Sequence, residues 1–129
     1  MMPLLFLVAT SADLDSLDQA VARCDRATAS PAFANEAARR SNFLLGAYRE
    51  QEAIVAARLD IAQRRATLRE AGRKKDVAEQ EKVELESAAI DDRQHALNDK
   101  RMLEGIRQDA MDTMRRYFLL NCPAGTIDK

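Results

Sequence analysis

The chain has 129 residues, enough for one domain. It has no Trp, four Gly, 5% aromatic residues and 23 Ala, so the 47% hydrophobic content supplies little core volume and argues against an aromatic-rich compact globule. Charged residues make up 32% but nearly cancel to a net charge of −1, so no global field favours nucleic acid. Abundant Ala, Glu, Arg, Asp and Leu with few helix breakers predict an all-α chain of long, coiled-coil-like helices.

In chain order, Pro3 to Ala9 is a short apolar run followed by Thr10-Ser11-Ala12. It is too short to cross a bilayer but has the length of a signal-peptide core, with small residues suited to cleavage after Ala12. Only Met1 and Met2 precede it, where a secretory signal carries Lys or Arg. Residues 1–12 are therefore read as a signal-peptide remnant, which places the protein in the periplasm or outside the cell. The alternative is an apolar end that packs on the helices.

Residues 13–29 are expected to form an N-terminal helix, with Leu14, Leu17, Val21 and Cys24 on one face. Thr28-Ala29-Ser30-Pro31 is expected to end it, because Ser30 can cap a new helix with Pro31 in its first turn. Residues 31–122 are then read as a long antiparallel helical hairpin. Its turn falls near 72–75, where Gly72 suits a left-handed cap. The first arm carries Ala47, Ile54, Ile61 and Leu68 at seven-residue spacing, and the second carries Val83, Ile90 and Leu97. After Leu97 the seam is expected to slip in phase onto Leu103, Ile106, Ala110, Met114 and Tyr117. Residues 123–129 are expected to be a flexible tail.

A turn centred on Arg73 pairs residue i with residue 146 − i. That rule sets Ile61 against Leu85, Phe43 against Leu103, and Arg65 against Glu81. It also sets Cys24 against position 122, which is the chain's other cysteine. A Cys24–Cys122 disulfide is expected, provided the first helix continues the line of the first arm, kinked at Pro31, and does not fold back on it. Such bonds persist in oxidising compartments, which agrees with the signal-like start.

No constellation for catalysis stands out. Asp92 and His95 lie one helical turn apart, but His95 is the only histidine and has no facing counterpart, so neither metal nor cofactor is expected. There is no glycine-rich phosphate loop, no zinc spacing, and no histidine near either cysteine. The run Arg58 to Lys75 is basic and the next stretch acidic, which is read first as charge pairing across the hairpin. The same run makes Arg65, Arg69, Arg73, Lys74 and Lys75 a candidate partner-binding tip for an acidic partner or anionic lipid. Nucleic acid fits poorly, because no aromatic residue interleaves the basic run.

These features lead to a non-enzymatic, extracytoplasmic hairpin acting by protein–protein contact, as adaptor, holdase or envelope scaffold. Its partner would be another protein or, by self-association as a homodimer, a second copy. The alternative is a cytoplasmic coiled-coil regulatory or assembly subunit with free thiols.

Overall fold

The computed structural model describes residues 9–72 and 76–123, with side chains from Asp13 onward. Residues 1–8 of the signal-like segment 1–12, the turn residues Arg73, Lys74 and Lys75, and the expected tail from 124 onward lie outside the described residues. The described residues form three helices: α1 (Ala9–Ala22), α2 (Arg26–Glu70) and α3 (Val77–Asn121). Helices α2 and α3 form a long pair, with the short α1 packed against it.

The first helix ends earlier than expected. It stops at Ala22, and the connection to α2 is only residues 23–25. Cys24 adopts a left-handed backbone conformation (φ 52°). The Asp25 N–H donates to the Ala20 carbonyl and the Cys24 N–H to the Val21 carbonyl, the paired bonds of a Schellman cap. Asp25 then caps α2. Its carboxylate accepts from the Thr28 N–H (3.3 Å) and hydroxyl (2.8 Å), and its carbonyl accepts the first helical bond from Ala29.

The break expected at Ser30-Pro31 does not occur, and α2 runs through Pro31. Proline there removes one N–H, that toward Ala27, near the helix start, and its ring is exposed. The Asp25 cap, with two hydrogen bonds, sets the start instead. At the other end, Gly72 (φ 60°) caps α2 as expected, and Asp76 caps α3 by accepting from the Glu79 N–H (3.1 Å).

The chain divides into two compact units, each with its own core. In the first, residues up to Ser41 and from Gly105 onward, α1 folds back. Leu17 and Val21 pack with Ala29, Met111, Phe118 and Cys122. The condition that α1 continue the line of the first arm is therefore overturned, yet Cys24 and Cys122 are joined, with Cα atoms 5.4 Å apart. The reason is the position of the turn. Folding back at Pro31 would carry Cys24 away from Cys122, whereas folding back at Cys24 itself keeps the residue at the start of α2.

The second unit, residues 42–104, contains only α2 and α3. Ala47, Ile54 and Ile61 pack against Val83, Ile90 and Leu97, the heptad residues expected. Between these apolar layers the facing positions are polar. Gln51 and Gln94 exchange amide hydrogen bonds (2.8 and 3.1 Å), Arg58 meets Asp91 (3.1 Å), and Arg65 meets Glu84 (3.1 Å).

The expected phase slip in α3 is absent. Val83, Ile90, Leu97, Glu104, Met111 and Phe118 are all buried at unbroken seven-residue spacing. Glu104 occupies a seam position, while its neighbour Leu103 is 63% exposed. A carboxylate at that position disguises the continuity. The pairing rule holds to within a turn, since Cys24 joins Cys122 and Gln51 faces Gln94, but particular pairs differ: Arg65 meets Glu84 and Ser87, not Glu81, and Leu85 is 74% exposed, not packed on Ile61.

Candidate interaction surfaces

The most buried polar group of the first unit lies where α1, α2 and α3 meet. Arg107 from α3 donates to both carboxylate oxygens of Glu36 on α2 (2.9 and 3.0 Å) and to Asp13 on α1 (3.0 Å). Burial opposes the charged form of Glu36, but hydrogen bonds from Arg107 and Arg39 outweigh it and lower its pKa to about 2. The same contacts raise the pKa of Arg107. The bidentate pair joins α2 to α3, and the further bond to Asp13 brings in α1. Nearby, the Arg26 guanidinium lies 4.9 Å above the Phe118 ring and donates to the Cys122 carbonyl (2.8 Å). Phe118 also contacts Phe33, with ring centres 5.9 Å apart.

Of the five residues expected to form a basic tip, only Arg65 and Arg69 are among the described residues. Arg65 is committed to Glu84 and Ser87. Arg69 is exposed and lines a shallow hollow of about 330 Å³ with Arg65, Leu68 and Val83. The neighbouring Arg64 binds both Glu79 (2.9 Å) and Glu86, and Arg93 binds Glu50. Hydrogen bonds from Arg93 hold the Glu50 carboxyl below its ordinary range. The expected charge pairing across the helices is thus present, with individual partners displaced by up to about a turn.

His95 is exposed, and no cluster of metal-ligating side chains occurs among the described residues. No helix among them is long and apolar enough to cross a membrane.

The feature that sequence reading undervalued is the outer face of α2 in the second unit. Leu44, Leu45, Tyr48, Val55 and Leu59 are all exposed there, Tyr48 by 62% and Leu59 by 61%. The size of Leu44, Leu45 and Tyr48 suggests packing against α3. They do not pack there, because Ala47 and Ile54 occupy the facing seam. The signal was visible: these residues fall on different helical positions from the Ala47–Ile54–Ile61–Leu68 repeat. Comparison with protein-family models, with curated proteins and with solved structures finds no match to this chain.

Proposed function

We propose that this chain is a non-enzymatic, extracytoplasmic helical-hairpin protein that acts by protein–protein contact, as an adaptor, holdase or envelope scaffold. The observation that carries the reading is the distribution of apolar residues on α2. Between residues 44 and 59 its outward face presents five large apolar side chains. Its inward face over the same span buries Ala47 and Ile54. An exposed row of this kind is characteristic of a surface that meets a partner.

The compartment is supported by the Cys24–Cys122 bond, which persists where thiols are oxidised. An acidic partner or anionic lipid near Gly72 would depend on Arg69 among the described residues, since Arg65 already pairs with Glu84.

The test is expression with the native start in a Gram-negative host, followed by fractionation, intact mass and non-reducing peptide mapping. The expected result is an exported chain beginning at Asp13 with Cys24 joined to Cys122. An intact Met1 with two free thiols would overturn the extracytoplasmic reading in favour of a cytoplasmic coiled-coil subunit.

A further inference from the structure

Helix α2 carries a second heptad seam that the hairpin leaves uncovered. Leu45, Tyr48, Glu52, Val55, Leu59, Ala62 and Ala66 recur at alternating steps of three and four residues. All seven lie in residues 42–104, and all but the half-buried Ala66 are exposed. This pattern is fuller than the one buried against α3. There, the residue four positions after each of Ala47, Ile54 and Ile61 is polar: Gln51, Arg58 and Arg65. A seam apolar at every position but Glu52 has the form that another helix fills.

We infer that this second seam pairs α2 with α2 of a second copy of the chain, in antiparallel orientation. The inference rests on the contact reading above and names the partner. Two properties of the seam select that occupant. The first is size. The large residues Leu45 and Tyr48 lie at one end and the small residues Ala62 and Ala66 at the other. A two-fold axis near Ala57 sets Tyr48 against the partner's Ala66 and Val55 against the partner's Leu59. It also sets Glu52 against the partner's Ala62, where a small neighbour leaves the carboxylate room to reach solvent. Tyr48 then meets a small residue, Val55 and Leu59 fill the centre, and Leu45 lies beside the partner's Arg69 at the edge. A parallel pair would stack Tyr48 on Tyr48 and leave a gap at the alanines.

The second property is charge. Arg49 and Glu70 border the seam on its side away from α3, and both are exposed. Neither makes an ion pair among the described residues. In the antiparallel arrangement Arg49 of each copy runs alongside the partner's Glu70, twice by symmetry. In a parallel arrangement the two Arg49 side chains lie on opposite sides of the seam and neither comes near a Glu70.

Sedimentation equilibrium on the full oxidised chain tests the inference, with a dimer expected at twice the 14.4 kDa chain mass. Val55→Asp with Leu59→Asp places two carboxylates in the seam. It is expected to weaken dimerisation by about 30-fold or more, while far-UV circular dichroism stays unchanged because both residues are exposed in the single chain. Arg49→Glu alone is expected to weaken the dimer, and adding Glu70→Arg to restore it. A monomeric wild-type chain at about 100 μM, well above the dissociation constant of a specific dimer, would overturn the inference. So would a dimer indifferent to the seam substitutions, or a charge-swapped double variant no stronger than Arg49→Glu. None of these outcomes bears on export or on the Cys24–Cys122 bond, so the two readings fail separately.

Discussion

The two units are built from the same two long helices, yet they hold together in different ways. In the first unit a third helix fills the space beside the pair. Leu17 and Val21 meet Met111 and Phe118, the Arg107–Glu36–Asp13 cluster ties three helices, and a disulfide closes the end. In residues 42–104 there is no third helix, and each heptad gives one apolar layer followed by a polar one. The heptad repeat of α3 runs through both units without a break, so the repeat itself does not produce the difference. What differs is the residue at the second seam position and whether another helix covers it. A two-helix seam with one apolar residue per turn pair buries little area, and exposed ion pairs add little.

The largest effect on this contrast is expected from the disulfide. It links residues 98 apart in sequence, and in the chain-entropy model its loss costs up to about 4–5 kcal/mol. Denaturant unfolding with and without reductant, or of Cys24→Ser with Cys122→Ser, should lower stability by an amount of that order. The first unit should lose its advantage over the second.

Next comes the buried ion cluster. Glu36→Gln removes the charge opposite a buried guanidinium and is expected to cost about 3–5 kcal/mol by chemical denaturation. The pH dependence has a definite sign. The Glu36 pKa is depressed in the folded state from 4.5 to about 2, so its contribution is fully present above pH 4.5. It is lost as the pH falls toward 2, and Glu36→Gln should abolish that part of the acid sensitivity.

In the second unit, Ile54→Ala truncates a fully buried side chain. A two-helix site can partly collapse around it, so the expected cost is near the low end for such changes, about 2–3 kcal/mol. The smallest effect has the opposite direction. Gln51→Leu with Gln94→Leu converts a hydrogen-bonded polar layer into an apolar one and removes both partners together. It should leave stability unchanged or raise it by about 1 kcal/mol in thermal unfolding.

The helical class, the heptads from Ile54 and Val83, the Gly72 cap and the cysteine pairing were all legible in the residues. The first three depend on local spacing or on a residue whose conformational preference is strong, and the cysteine pairing follows from placing the turn near Arg73. The α1–α2 turn was not legible, because its left-handed position is held by Cys24, where glycine is the usual signal. Pro31 supplied a stronger but misleading one. The continuation of the α3 seam was hidden by Glu104, and the partnership of Glu36 with Arg107 spans 71 residues, beyond any periodic pattern. The exposed face of α2 could have been found by asking whether Leu45, Tyr48, Val55 and Leu59 share the phase of Ile54 and Ile61.

Native-state hydrogen exchange on the oxidised chain tests the contrast between the units most directly. The account predicts the slowest amides around Leu17–Val21 and Met111–Phe118. It predicts faster exchange at Val83–Leu97, and protection at Tyr48–Leu59 that rises with protein concentration. Slowest exchange at Val83–Leu97, with no dependence on concentration at Tyr48–Leu59, would contradict it.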